Sequence, residues 1–148
     1  MNNFLLSNPT RIRFGEGQVS SLSKEIPSTA SIMLTIGGGS VKKNGILDAV
    51  LQSLQGYSLS IFEGIEANPE FETLEKAIEL GKSESIDYIL AVGGGSVLDG
   101  SKLIAAGIAN PSLDPWEIVR SGGRAAKAAL PIGAVLTLPA TGSEANGN

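Results

Sequence analysis

The sequence predicts an α/β domain built on a doubly wound, mostly parallel sheet. Short apolar segments alternate along the chain with segments of helical periodicity, which is typical of such sheets. The apolar run at residues 88–92 has the length and continuity of a strand that is buried on both faces. Two strands end in three consecutive glycines directly before a helix, at residues 37–39 (the first glycine turn) and 93–95 (the second glycine turn).

Apolar runs and the turn residues around them place the individual strands. Strands are predicted at residues 11–14, 32–36, 57–62, 88–92 and 132–138. The dipeptides Asn110-Pro111 and Asp114-Pro115 break the pattern before the last strand. Trp116, which follows them, is expected to anchor packing rather than to stack on a cofactor.

Helical periodicity fills the connections between these strands. Helices are predicted at residues 18–25, 46–54, 69–78 and 96–109, with no more than a helical turn at 116–120. One buried stripe marks the second of them, at Ile46, Leu47, Val50, Leu51 and Leu54. Pro69 is expected at the first position of the third helix, with Asn68 as its cap. Ser96 and Asp99 have the spacing of a capping box at the start of the fourth helix.

The second glycine turn has the clearest chemistry. Glycines let a ligand approach the backbone closely, while the N–H groups and the dipole at a helix start favour an anion. We interpret the turn as a site for the pyrophosphate of a nucleotide. The alternative is a tight connection between strand and helix, since the pattern is not the G-x-G-x-x-G fingerprint. Asp99 is either a ligand contact or a plain capping residue.

The first glycine turn repeats this unit. Residues 31–50 resemble residues 87–106, and the letters G-G-G-S-V are identical in both. Two such units suit a cofactor with phosphates at two places. Where the second copy continues with leucine and aspartate, the first has Lys42-Lys43, and cations in the first turn of a helix oppose its dipole. Ser40 and the two lysines are therefore candidates to surround the 2′-phosphate of NADP. Solvated surface lysines are an equal alternative.

Composition limits the class of protein. The 148 residues are 42% apolar and 18% charged, enough for one domain with a core. A net charge of −4 argues against nucleic-acid or anionic-membrane partners, which need a basic face. The chain has no cysteine and no histidine, which excludes disulfides, a cysteine nucleophile and the usual general base. It shows neither a signal peptide nor an apolar run of membrane-spanning length, so a cytoplasmic location is expected.

The end of the chain carries a helix-start signal. Thr141 and Glu144 have capping-box spacing, and four residues follow them. We expect from this that a larger protein continues where the chain stops, so that the chain is a truncated protein or a lone N-terminal domain.

Six motifs in this order resemble those of the iron-containing (group III) alcohol dehydrogenases, most closely the branch of NADPH-dependent aldehyde reductases and butanol dehydrogenases. They are N-P-T-R-I-R-F-G-E-G at 8–17, G-G-G-S-V-K-K at 37–43, N-P at 68–69, A-V-G-G-G-S-V-L-D at 91–99, D-P-W at 114–116 and T-L-P-A-T-G-S-E at 137–144. The resemblance covers essentially the whole chain. It implies that residues 1–148 form the N-terminal, Rossmann-like dinucleotide-binding domain, without the helical metal-binding C-terminal domain.

The resemblance also implies which residues surround NADP(H). They are Gly37, Gly38, Ser40, Asn68, Gly94, Gly95, Ser96, Asp99, Thr137, Leu138 and Thr141. By this likeness the first glycine turn and its serine lie near the adenosine ribose and the 2′-phosphate, with the asparagine also at the adenosine end. The second glycine turn and its serine match the pyrophosphate loop, and the aspartate lies close to the cofactor. The T-x-x-x-T segment lines the cofactor toward the nicotinamide.

The activity that the resemblance implies is hydride transfer between NADP(H) and an alcohol or aldehyde. In the family, a divalent metal (iron or zinc) is held by one aspartate and three histidines of the helical domain and acts as a Lewis acid. This chain has no histidine, so no catalytic or metal-binding residue is assigned to it. Alone it is expected to be catalytically silent and to bind NADPH weakly.

Two other functions are kept as alternatives. The chain can be a stand-alone, non-catalytic nucleotide-binding or oligomerisation module left by truncation, in which case an exposed apolar strip would favour self-association. A flavodoxin-like or phosphate-ester enzyme of similar topology fits the motif order less well. A homodimer is expected as the assembly, with no nucleic-acid or membrane partner.

Overall fold

A computed structural model describes residues 8–146 and shows one parallel sheet of four strands in the order β2-β1-β3-β4. The strands are β1 (Ser31–Ile36), β2 (Ser58–Glu63), β3 (Tyr88–Gly93) and β4 (Ile132–Leu136). The chain runs from β1 to β2 on one side and then crosses to β3 on the other. The sheet is therefore doubly wound, with its switch point between β1 and β3, and the predicted fold class is confirmed.

Helices cover both faces of the sheet. They are α1 (Leu22–Glu25), α2 (Ser40–Lys43), α3 (Ile46–Ser53), α4 (Phe71–Ser83), α5 (Gly95–Ala109) and α6 (Pro115–Arg120), with 3₁₀ turns at Gln18–Ser21 and Ser143–Ala145. No helix within residues 8–146 is long and apolar enough to cross a membrane.

Alternate side chains of the central strands supply the two cores. Met33 and Ile89 pack with α4 and α5 on one face, while Leu34 and Leu90 pack with α3 on the other. All four are fully buried, which explains why β1 and β3 are almost continuously apolar in the sequence.

One buried hydrogen bond docks α5 on β1. Thr35 and Ser101 are both completely buried, and their hydroxyl oxygens are 2.7 Å apart. Ser101 Oγ donates its single proton to the Val97 carbonyl, at 2.7 Å, so Thr35 must be the donor to Ser101. The bond fixes α5 against the strand that leads into the first glycine turn.

Several local expectations are wrong. Residues 11–14 form no strand, because none of the four strands described within residues 8–146 pairs with them. The side chains of Arg11 and Arg13 pair with Glu25, and Phe14 is 97% exposed. The last strand ends at Leu136 rather than at residue 138. The start signal at Thr141 produces only the 3₁₀ turn Ser143–Ala145, whose N-cap is Gly142 at φ 68° and not a threonine hydroxyl.

Other local expectations are confirmed. The helical segment at residues 18–25 is present as a 3₁₀ turn followed by α1. By contrast, the segment at residues 116–120 is longer than the single turn expected, because it belongs to the six-residue helix α6, which the Asp114 carboxylate caps by accepting from the Trp116 N–H at 2.9 Å. Trp116 packs edge-on against Phe71, with ring centroids 5.0 Å apart, as expected for a packing residue.

The docking bond makes a prediction about stability. Ser101→Ala should lower the free energy of unfolding by about 1–3 kcal/mol, because the buried Thr35 hydroxyl loses its acceptor. Thr35→Val should cost less, roughly 0.5–1.5 kcal/mol, because Ser101 still donates to Val97. Urea denaturation of both variants and of the double variant measures this. The double variant should be no less stable than Ser101→Ala, and a cost of Thr35→Val equal to that of Ser101→Ala would contradict the assignment of the donor.

Candidate functional site

Parallel pairing brings the two glycine turns to the same edge of the sheet. Ile36, the last residue of β1, lies opposite Val92 near the end of β3, so residues 37–39 and 93–95 leave neighbouring strands at their carboxyl ends. This is the switch point of the sheet, the place where open α/β sheets bind ligands.

In the first glycine turn, packing or backbone conformation accounts for two of the three glycines. A Cβ atom on Gly37 would lie 3.2 Å from the Ile65 carbonyl oxygen and 3.3 Å from Val97 Cγ2. Gly39 has a φ of 99°, which side chains rarely tolerate. Gly38 has neither constraint, because a Cβ there would meet no protein atom within 4 Å.

The second glycine turn follows the same scheme. A Cβ on Gly93 would lie 2.8 Å from Val97 Cγ2, and one on Gly95 would lie 2.3 Å from Thr141 Oγ1. Gly94 has an ordinary φ of −88°, and its Cβ would come no closer to a protein atom than 3.9 Å, at Leu138 Cβ. Among the six glycines of the two turns, Gly38 and Gly94 are therefore the two that neither a close contact nor a positive φ requires.

The helix that begins at the second glycine turn presents uncapped N–H groups. The 15-residue helix α5 has Gly94 as its N-cap, and no side chain accepts from its first turn. The predicted capping box of Ser96 and Asp99 is therefore wrong. The Ser96 hydroxyl donates to the Ala67 carbonyl instead. Backbone N–H groups at such a helix start are available to an anion.

The loop after β2 is fixed beside this helix. Glu66 accepts from the Thr73 hydroxyl at 2.6 Å and from the Glu70 N–H at 3.4 Å. These bonds lower the pKa of the Glu66 carboxyl, the bond from Thr73 most strongly. Helix α4 consequently starts at Phe71 with Glu70 as its N-cap, so the expectations that Asn68 caps it and that Pro69 opens it are wrong.

The last described segment, residues 137–146, folds back over the second glycine turn. The Thr137 N–H donates to the Gly93 carbonyl at 2.9 Å, and Thr141 lies against Gly95. The Ser143 hydroxyl is 2.6 Å from that of Thr141 and donates to Asp99 at 3.1 Å. Asp99 also pairs with Lys102 at 3.2 Å. Asp99 thus attaches the segment to α5 instead of capping the helix.

The two lysines after the first glycine turn lie on a helix of four residues, α2. In so short a helix the two lysines lie in the last turn as well as the first. The expectation that they oppose the helix dipole is therefore wrong. Lys42 Nζ instead forms an ion pair with Glu63, the last residue of β2. Ser40, Lys42 and Lys43 are all exposed at this edge of the sheet.

The residues predicted from the sequence therefore share one edge of the sheet. Those of the first turn follow β1, those of the second turn follow β3, the T-x-x-x-T segment follows β4, and Asn68 lies in the loop after β2. Asp99 lies just beyond them on α5. Val97, Glu63 and Ser143 were missed, because their contacts join segments far apart in sequence. Residues 8–146 contain no group of three or more His, Cys, Asp or Glu side chains that could hold a metal ion.

A doubly wound parallel sheet with glycine turns at its switch point defines a domain of the Rossmann-like fold class. The family model of the iron-containing alcohol dehydrogenases matches residues 9–148. The chain therefore belongs to the iron-containing alcohol dehydrogenase family, as its motifs indicated.

Individual relatives agree with this assignment. The chain is 54% identical to the NADPH-dependent aldehyde reductase YqhD of Escherichia coli K12 over 99% of its own length and 38% of the relative's. It is 45% identical to the probable NADH-dependent butanol dehydrogenase 1 of Bacillus subtilis, with the same shares covered. The chain thus spans about two fifths of the length of these curated relatives.

Solved structures show the same fold. The crystal structure of Escherichia coli YqhD matches with a TM-score of 0.95 at 53% identity, over 98% of this chain and 37% of that chain. The butanol dehydrogenase A of Thermotoga maritima matches with a TM-score of 0.92 at 40% identity, over 99% and 37%.

Gly95 packs against Thr141 whereas Gly94 has no close neighbour, and this difference predicts how alanine substitutions affect stability. Gly95→Ala should lower the free energy of unfolding by about 1–3 kcal/mol, because the new methyl group would overlap Thr141. Gly94→Ala, the matched control one residue earlier, should change it by less than about 0.5 kcal/mol. Chemical denaturation measures both. Equal stabilities of the two variants would contradict the packing of residues 137–146 on α5.

Proposed function

We propose that this chain is the cofactor-binding portion of an NADP-dependent, metal-dependent alcohol dehydrogenase or aldehyde reductase. The observation that carries the proposal is the pair Gly38 and Gly94. Gly38 follows β1 and Gly94 follows the neighbouring strand β3. No contact and no backbone conformation within the protein requires a glycine at either position. A ligand that approaches the backbone closely at both places accounts for both glycines.

A dinucleotide fits this arrangement because it carries phosphates at two separated points. We assign its pyrophosphate to the second glycine turn, where Gly95 and Ser96 begin an uncapped helix of 15 residues. The adenosine ribose then lies at the first glycine turn with Gly37, Gly38 and Ser40, and Asn68 lies toward the adenosine. Family members named as NADPH-dependent or NADH-dependent support a nicotinamide dinucleotide.

Cationic side chains near the ribose favour the phosphorylated cofactor. Lys42 and Lys43 follow the first glycine turn directly, and ammonium groups there attract a 2′-phosphate. The relative of 54% identity is named as NADPH-dependent, which supports NADP(H) over NAD(H).

The nicotinamide end is assigned to the segment after β4, with Thr137, Leu138 and Thr141 along it. Asp99 contributes through Ser143, which holds Thr141 beside Gly95. When bound, the nicotinamide exchanges a hydride with the carbon of an alcohol or aldehyde substrate. The chain's part is to bind and orient that group.

The metal of the family does not fit the residues described here. No group of His, Cys, Asp or Glu within residues 8–146 could hold it, and the sequence has no histidine. We therefore assign the iron or zinc site to a part of the full-length enzyme outside this domain. The isolated chain is proposed to be catalytically silent, to bind NADPH weakly and to take part in a homodimer when the enzyme is complete.

The second candidate function, a non-catalytic binding or oligomerisation module, is favoured by exposed apolar side chains. Trp116 is 48% exposed and Leu138 is 65% exposed. NADPH titration combined with static light scattering distinguishes the two functions, since an oligomerisation module would form a defined oligomer and bind no NADPH. The first function requires cofactor binding whatever the assembly.

Cofactor binding tests the proposed function through the two unconstrained glycines. Gly38→Ala and Gly94→Ala should each weaken NADPH binding by about tenfold, because the added methyl group occupies the space of the ligand. The folded state should be unaffected, since the methyl groups meet no clash. Titration of NADPH fluorescence measures the Kd. Ala49→Ser on the exposed surface of α3 is the control and should bind like the wild type. Wild-type binding by both glycine variants would overturn the proposal.

A further inference from the structure

The edge of the sheet beside the first glycine turn carries an ion pair between Lys42 and Glu63. Glu63 ends β2 and lies opposite Ile36, the residue directly before the first glycine turn. Lys42 lies on α2, directly after that turn, and its Nζ pairs with the Glu63 carboxylate. Two opposite charges therefore lie where the first strand opens into the candidate site.

Both members of the pair are accessible. The Lys42 side chain is 48% exposed and that of Glu63 is 57% exposed. Exposed ion pairs contribute little to stability, so this one can open at little cost. Neither packing nor capping requires a carboxylate at position 63, because an exposed strand end can accommodate most polar residues.

The two charges act in opposite directions on the adenosine ribose of a dinucleotide. An acidic residue near the first glycine turn can accept a hydrogen bond from the 2′-hydroxyl of NAD, whereas a cation accommodates the 2′-phosphate of NADP. A carboxylate beside a 2′-phosphate repels it. Free Lys42 therefore favours NADP, and free Glu63 favours NAD.

We propose that Glu63 is a specificity-determining residue that acts through Lys42. By pairing with Lys42 it withdraws the ammonium group from the ribose site, and its own charge opposes a 2′-phosphate. The ion pair thereby moderates the preference for NADP(H) over NAD(H) that the lysines alone would create. This inference rests on the proposed function, because it requires the adenosine ribose to lie at the first glycine turn.

The test is the ratio of the Kd for NADH to the Kd for NADPH, measured by fluorescence titration of the full 148-residue chain. The two ligands differ only in the 2′-phosphate. Glu63→Gln should raise the ratio roughly three- to tenfold, since it frees Lys42 and removes a charge that repels a phosphate of nearly two negative charges. Lys42→Met should lower the ratio by a similar factor. Both effects should shrink at high salt.

The control is Glu117→Gln, which removes the same charge from another exposed ion pair, that with Arg120 on α6, and should leave the ratio unchanged. Opposite shifts for Glu63→Gln and Lys42→Met support the inference, because a purely structural role would move both affinities together. Ratios within twofold of the wild type for both variants would overturn the inference and leave the proposed function standing. A wild-type chain that binds neither cofactor would overturn both.

Discussion

The side chain of Val97 makes the contact on which the candidate site depends. It lies against the positions of Gly37 and Gly93, at 3.3 and 2.8 Å from the Cβ atoms those residues lack, so one buried methyl group spaces both glycine turns. The parallel register of β1 and β3 brings the turns to one edge, and the hydrogen bond between Thr35 and Ser101 holds α5 in place behind them. A side chain at position 93 would overlap Val97, and one at position 37 would crowd it.

This constraint divides the six glycines by cause. Gly37 and Gly93 make room for Val97, Gly95 makes room for Thr141, and Gly39 supplies a left-handed backbone. No contact or backbone conformation within the protein explains Gly38 and Gly94, whereas a bound ligand would explain both. Within each run of three glycines, two are explained by packing or backbone conformation, and the middle one would be explained by a bound ligand.

The sequence was informative where a pattern is local. Continuous apolar runs predicted β1 and β3, and the triple glycines predicted the turns at the carboxyl ends of both strands, because strand burial and turn geometry depend on adjacent residues. It was misleading at helix starts. Ser96 donates to the distant Ala67 carbonyl instead of capping α5, and Thr141 bonds its near neighbour Ser143. At the start of α4 it is Glu66, not Asn68, that accepts a backbone N–H, from Glu70. Short polar side chains at such positions bond whichever partner the tertiary fold supplies. The pairing of Lys42 with Glu63 likewise depends on strand order, which no local spacing reveals.

Amide NMR of the isotopically labelled chain, titrated with NADPH, tests most directly whether the two glycine turns bind one dinucleotide. The account predicts that the signals of Gly38 and Gly39 shift together with those of Gly94, Gly95 and Ser96, all with one common Kd. Shifts confined to one turn, or different Kd values for the two, would contradict it.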